Sequence, residues 1–329
     1  MHNNSTTAKS GQLVDISVLI PISEADEEIE KIEEVENVFL KIREILEKNS
    51  LTYEFIFVLD GQYLNTETKL DEIHNENHET VKVIKFNRMF GVAKALTAAF
   101  NESSGNLILT HAPYFQVIPE MVQKLFDNFT DDIDMIFGAR YPKQDNFFIR
   151  LQSKIFHSVV NGLTGESFRD IVSSERLMRR CVMQKVELYG DLHRFIPVLA
   201  LYHGFNVKEI PLQQAKKASQ ARIYRPGAYL RRMLDVFTLV FLVKFTQKPL
   251  RFFGFWGVAM SSLGFIITAV TVIQRLLFDI ALADRPLFFV GTLLILLGIQ
   301  IFFIGLVAEI ILFMHKPSVP HYNIEEKIE

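Results

Sequence analysis

Two uncharged apolar stretches near the end of the chain, Phe252 to Ile273 and Pro286 to Ala308, constrain its fold more than any other feature. Each supplies the ~20 residues that an α-helix needs to cross a hydrocarbon core. Runs this long and this rich in Phe, Leu and Ile are rare in soluble cores, so the sequence predicts a transmembrane hairpin behind a front half that reads as a soluble α/β domain. A helical hairpin buried inside a soluble protein is the alternative that meets the same pattern.

The bulk properties agree with that division. With 329 residues the chain has room for one domain of roughly 200 residues and a membrane portion. The net charge of −3 gives no overall field that points to nucleic acid, so basic residues matter by their location. Cys181 is the single cysteine, which excludes an internal disulfide and any cysteine-based zinc centre and fits a reducing cytosol. The start, MHNNSTTAKSGQ, shows no apolar core of a cleavable signal, so insertion is expected to depend on the C-terminal helices.

The flanks set the expected topology. Arg231, Arg232, Lys244, Lys248 and Arg251 precede the first span, whereas the short loop between the spans balances Arg275 and Arg285 against Asp279 and Asp284. The positive-inside bias therefore predicts a plasma or inner membrane protein with its soluble domain and both termini cytoplasmic.

Within the front half, Ile16 to Ile20 predicts a strand stopping at Pro21, and an acidic helix follows from Glu24 to Lys48. Tyr53 to Leu59 predicts a buried strand ending at Asp60-Gly61, and Val81 to Phe86 a third ending at Asn87. Val92 to Phe100 predicts a helix, Asn106 to Thr110 a fourth strand, and Ile118 to Phe129 another helix. Alternation of this kind implies a mostly parallel sheet with helices on both faces. Ligands of such sheets bind at the carboxyl ends of strands, here near Pro21, Asp60, Asn87 and His111. Two amphipathic segments, residues 146–163 and 226–251, read as helices lying in the membrane interface or, alternatively, as core-facing helices of the soluble domain. The expected organisation is residues 1–225 as the soluble domain, 226–251 as a juxtamembrane helix, 252–314 as the spans and 315–329 as a tail.

In this order the pieces resemble a family 2 glycosyltransferase of the polyprenyl-phosphate type. The local matches are ISVLIPIS, FVLDG, FNRMFGVAKAL, IRLQSKIFHSVVNGLTG, DIVSSERLMRR, TQKPLRFFGFWG and IGLVAEIILFMHKPSVPHYNI, which together cover nearly the whole chain. The resemblance implies a GT-A-like domain, a nucleotide-sugar donor, a polyprenyl-phosphate acceptor and contact with membrane lipids. It places Pro21, Asp60, Asn87 and Gly91 at the donor site, with Asp60 accepting from the base or ribose. Homo-oligomerisation or pairing with another glycosyltransferase is compatible with it, and a role in cell envelope polysaccharide follows from it.

The chemistry residues depart from the family pattern. Sugar transfer from a nucleotide diphosphate releases a multiply charged anion, which the family neutralises with Mg²⁺ or Mn²⁺ on an Asp-x-Asp turn. This chain has His111-Ala112-Pro113 there, leaving His111 as a weak ligand for a softer ion, or simply a hydrogen-bonded residue at a strand end. Polyprenyl-phosphate members carry an aspartate just before a Phe-Arg-Leu matched by Glu175-Arg176-Leu177; Ser174 stands in its place. Glu175 substitutes for that aspartate or is a solvated surface residue.

What remains near these turns is basic. Arg176, Arg179 and Arg180 follow the altered acceptor turn, and Lys216, Lys217, Arg222 and Arg225 lie where the family has a flexible loop closing over the diphosphate. Guanidinium groups clamp phosphates bidentately without a metal, so metal-independent transfer is physically allowed; binding of anionic lipid headgroups is the plainer role. Ser174, Glu175, Arg176 and Arg222 are thus the expected catalytic residues, with Pro21, Asp60, Asn87, Gly91, His111, Arg222 and Arg225 at the donor. Glu309, inside the second span, is expected to face the partner span or another subunit, or to sit at a helix end. The leading expectation is sugar transfer to polyprenyl phosphate at the cytoplasmic leaflet. The alternative is a pseudoenzyme that scaffolds a partner glycosyltransferase or flippase.

Overall fold

The computed structural model describes residues 14–23, 32–61, 64–141, 168–188, 190–215, 249–278 and 286–314. The interface segment 146–163, most of 226–251, the basic loop residues Lys216, Lys217, Arg222 and Arg225, and the tail lie outside them. Two compact units divide the chain, Met1–Val236 with Tyr322–Glu329, and Phe237–His321.

In the first unit β1 (Ile16–Ser23) is buried at every position, as a β-branched run covered on both faces should be. It pairs in parallel with β2 (Tyr53–Asp60) from Ile16↔Tyr53 to Ser23↔Asp60. The strand β3 (Val81–Lys85) extends the parallel half beyond β2, and β4 (Leu107–Thr110) extends it beyond β1. Next to β4 lies β6 (Arg176–Arg179), antiparallel to both β4 and β5 (Met135–Arg140), with β7 (Val207–Leu212) at the far edge parallel to β5. The order is β3-β2-β1-β4-β6-β5-β7. All strands but β6 point the same way.

The helix α1 (Ile32–Lys48) turns Val35, Val38, Phe39, Ile42 and Leu46 inward at three- and four-residue spacing, into one core with Phe55, Phe57 and Leu59 of β2 and Ile16, Val18, Ile20 and Ile22 of β1. Leu70 of α2 (Leu64–Glu76) joins this core, as does Leu125 of α4 (Gln123–Asp127). On the opposite face pack α3 (Val92–Asn101), the 3-10 turn Gly190–Phe195 and α6 (Ile196–Tyr202), while α5 (Arg180–Lys185) follows β6 directly. Each fully buried Phe or Ile contributes about 1.5–3 kcal/mol relative to exposure.

Two expectations change. The strand β1 does not stop at Pro21 but runs on to Ser23, with Pro21 opposite Val58. Leu19 accepts from the His111 amide, so Pro21, two residues on, turns its missing N–H toward a neighbour that has already ended. The helix expected over Ile118 to Phe129 begins as a 3-10 turn, Pro119–Val122, and continues only through α4. The Ile118 amide is tied to the Gln213 carbonyl at 3.0 Å, which holds the chain extended until Pro119.

The second unit is a hairpin of α7 (Pro249–Phe278) and α8 (Pro286–Met314), both long and apolar enough to cross a membrane. Most of their large side chains are exposed; Phe255, Phe265 and Leu276 are 67, 68 and 78% exposed. Gly291, Gly298 and Gly305 recur every seven residues and form the buried face of α8. A Cβ on Gly257 would stand 2.7 Å from the Gly298 carbonyl oxygen, and one on Gly264 2.6 Å from that of Gly291. Small residues let the two backbones approach where no hydrophobic force pulls helices together in lipid. Glu309 faces the partner helix, as one expectation had it: its carboxylate accepts from the Leu250 amide at 3.2 Å, an unpaired donor in the first turn of α7. Gly298→Leu is expected to destabilise the hairpin by about 1–3 kcal/mol, read as a lower melting temperature in detergent. An unchanged melting curve would remove the close backbone contact from the account.

Candidate functional site

The topology collects the sequence-derived residues at one edge. The strands β1, β2, β3 and β4 all end there, and β6, running the other way, begins there, so Ser23, Asp60, Asn87, His111, Ser174, Glu175 and Arg176 share it. Register makes this concrete: Ser23 is opposite Asp60, and Thr110 is opposite Arg176.

Asp60 is fully buried and its carboxylate is occupied by the protein. It accepts from the Phe90 amide at 2.6 Å, the Gly91 amide at 2.8 Å and Ser23 Oγ at 3.0 Å. Gly91, with φ of 91°, is the N-cap of α3, in a conformation that favours glycine. The Asp60 carboxylate therefore clamps the Asn87-to-Gly91 segment to the end of β2. Asn87 itself is exposed, and beside it Met89 and Phe90 are 52 and 47% exposed, with Arg88 over the Phe90 ring at 4.9 Å.

At the end of β4, His111 is 1% exposed, with its ring against Phe115 at 5.3 Å. Its Nδ1 donates to the Ala112 carbonyl at 2.6 Å, and its Nε2 has no partner. Ser174, half-buried, is tied to this turn: its carbonyl accepts from Thr110 Oγ1 at 2.9 Å and its Oγ accepts from Gln116 Nε2 at 3.2 Å. The altered metal turn and the altered acceptor turn are thus joined. Asp170 anchors the second of them, accepting from Arg140 Nε at 2.6 Å and from its terminal nitrogen at 3.1 Å. The amides of Arg169 and Asp170 in turn donate to the Glu209 carboxylate, whose pKa burial pushes up against those bonds.

Three sequence expectations are corrected here. Glu175 is not a solvated surface residue: it is fully buried, and its Oε2 accepts from Ser173 Oγ at 2.6 Å. Arg176, at 3% exposure, is spent on main-chain carbonyls, donating to His193 at 2.8 Å and Arg194 at 3.3 Å. Burial pulls its pKa down to about 10, so it remains a cation at neutral pH. Arg179 and Arg180 do not lie beside the acceptor turn. They sit at the opposite edge of the sheet, at the start of β4, and donate to Ile133, Asp131, Ser103 and Gly105 carbonyls. Long polar side chains at strand ends reach the nearest orphan carbonyls, and the antiparallel turn of β6 carries these two away from the site.

Sequence reasoning passed over Gln116, Ser23, Arg140 and His193. Burial and the neighbouring cations Arg194 and Arg176 hold the His193 pKa down to about 3, so its ring is neutral. Among the described residues of the first unit, the side chains with buried unpartnered polar atoms are His111, Gln116, Glu175, Arg176 and His193, which belong to this edge or pack on it.

The hard divalent cation that the resemblance implies does not fit the turn His111-Ala112-Pro113. Ala112 and Pro113 offer no side-chain donor, and hard cations take oxygen rather than imidazole nitrogen. Among the described residues no cluster of three or more His, Cys, Asp and Glu side chains forms a cage.

A parallel half-sheet with its polar edge at the strand ends, a flanking antiparallel strand and an apolar hairpin define a GT-A-like membrane transferase architecture. The chain belongs to glycosyl transferase family 2, whose family model it matches over residues 30–208, more than half its length. It is similar to undecaprenyl-phosphate 4-deoxy-4-formamido-L-arabinose transferase of Proteus mirabilis, 26% identical over 316 residues that span 95% of this chain and 94% of that protein. It is also similar to dodecaprenyl-phosphate galacturonate synthase of Rhizobium johnstonii, 22% identical over 324 residues, covering 96 and 93% of the two chains. In fold it matches glucosyl-3-phosphoglycerate synthase from Mycobacterium tuberculosis with a TM-score of 0.51 at 15% identity, over 70% of this chain and 80% of that one.

Proposed function

We propose that this protein transfers a sugar from a nucleotide-sugar donor to polyprenyl phosphate at the cytoplasmic leaflet, without the Asp-x-Asp cation of its family. The observation that carries the reading is the full-length similarity to two transferases that differ in sugar but share a polyprenyl-phosphate acceptor. Similarity extending through both apolar helices supports the lipid acceptor more than any sugar. The donor side is supported by Asp60, which fixes the Phe90-Gly91 segment beside the strand ends where such sheets bind ligands. Lys and Arg concentrated before the first span support the cytoplasmic orientation.

The chemistry asks little of a base, since a polyprenyl phosphate is already anionic and attacks the anomeric carbon directly. It asks for positive charge where the diphosphate departs, and for two reactants held in line. The test incubates purified full-length protein with polyprenyl phosphate and a panel of radiolabelled nucleotide sugars. Label extracted with the lipid from one donor is the expected result. Absence of labelled lipid with every donor, from protein that melts cooperatively, would reject the reading.

A further inference from the structure

The buried seam of α8 fixes where its other side lies. Gly291, Gly298 and Gly305 meet α7, and a helix turns through about 200° in two residues, so Leu293, Gln300 and Val307 stand on the far side. Leu297, Ile304 and Ile311 follow them at four-residue spacing. All six are exposed, and their alternation of four- and three-residue steps is that of a helix face that meets a second helix side by side.

In a helix apolar on every side, spacing alone does not choose a face. Gln300 does. It lies midway between Pro286 and Met314, with about 20 Å of helix on either side, which sets it deep in a hydrocarbon core about 30 Å thick. Ile304, Val307 and Ile311 line one shallow groove with it. Among the described residues its amide has no hydrogen-bond partner, whereas the Thr292 hydroxyl on the same helix donates to its own Phe288 carbonyl at 3.0 Å. Lipid chains carry neither donor nor acceptor, so an exposed amide at this depth calls for a polar partner.

The amide is its own complement, with one carbonyl that accepts and one NH₂ that donates. Two copies inserted in the same direction have parallel helices, and a two-fold axis along the membrane normal sets each position opposite itself. Gln300 then faces Gln300, and two reciprocal hydrogen bonds satisfy both amides. A second copy thus meets the depth, the direction and the chemistry at once.

We propose that the chain self-associates in the membrane through α8, along the face from Leu293 to Ile311, with paired Gln300 amides fixing the register as a single polar residue does in a coiled coil. This contact needs α7 and α8 to span a bilayer. It is independent of the sugar and the lipid transferred.

The test uses full-length protein reconstituted in lipid vesicles, with energy transfer between donor- and acceptor-labelled copies followed as lipid dilutes them. Wild-type protein is expected to associate, and Gln300→Leu, which keeps the helix apolar, should weaken association about 10-fold, the order of two interhelical hydrogen bonds. A second measurement places the contact. On a Cys181→Ser background, Val307→Cys should form a disulfide-linked dimer on oxidation, and Ile299→Cys, on another side of α8, should not. Wild-type protein that stays monomeric at every dilution would overturn the proposal, including one that crosslinks in cells only to a different protein. So would association that Gln300→Leu leaves unchanged, or crosslinking through Ile299 in place of Val307.

Discussion

Replacing Asp60 with alanine is expected to destabilise the soluble unit by about 3 kcal/mol and to abolish donor binding together. The carboxylate is fully buried and serves two backbone amides, at 2.6 and 2.8 Å, and one hydroxyl. Hydrogen bonds to a charged group contribute about 1.5–3 kcal/mol each, and a donor left without its partner costs a further fraction of that when shielded from water. The three contributions do not add in full, because Phe90 and Gly91 are only partly covered and water reaches their amides once the carboxylate is gone, so the loss stays near the upper value for a single such bond. Asp60→Asn should fall between, since one amide oxygen replaces two carboxylate oxygens and the NH₂ group meets a backbone N–H. Chemical denaturation and calorimetric titration with a nucleotide separate the two effects. An Asp60→Ala protein as stable as wild type would show that the clamp does not hold the Asn87-to-Gly91 segment.

The parallel half of the fold was legible because its strands are short continuous apolar runs bounded by Pro, Asp-Gly and Asn, with an amphipathic helix after the first. Its limits were misread where tertiary bonds decide, as at Pro21, which remains in β1 because its missing donor faces a neighbour that has ended. The strands β5, β6 and β7 carried no expectation. RLMR in β6 alternates too briefly to show a period, and only its place between β4 and β5 makes it a strand. For the same reason the three arginines after Glu175 looked like one basic cluster. A four-residue antiparallel strand sends Arg176 to one edge and Arg179 to the other. Asp60 and His111 were legible as positions, since one ends β2 and the other follows β4, whereas Ser174 and Glu175 lead into β6 and were picked out only by the resemblance; the bonding partners of all four were not legible. Nothing in the sequence ties Gln116 to Ser174 or Arg140 to Asp170, because each contact joins segments 58 and 30 residues apart.

With Arg176, Arg179 and Arg180 already committed to carbonyls, the guanidinium charge for a departing diphosphate has to come from elsewhere in the chain. Arg222 and Arg225, with Lys216 and Lys217 adding ammonium charge, stand in sequence where the resemblance sets the family's closing loop, and we propose that they supply it. Charge on the diphosphate grows as the sugar leaves, so a guanidinium aimed at it is felt more in the transition state than in the bound donor. Arg222→Ala is therefore expected to lower transfer to polyprenyl phosphate by about 10²-fold or more while changing donor affinity only modestly, the pattern of an interaction made late in the reaction. Arg222→Lys should recover part of the loss, because the charge returns without the bidentate fork. Single-turnover rates and donor affinity, measured on the same preparations, separate the two quantities. Equal losses in rate and affinity would make Arg222 a donor-binding residue only. If wild-type protein transfers no sugar, and cells carrying Arg222→Ala keep their envelope phenotype, the chain acts instead as a scaffold, and it should then co-purify with an active transferase.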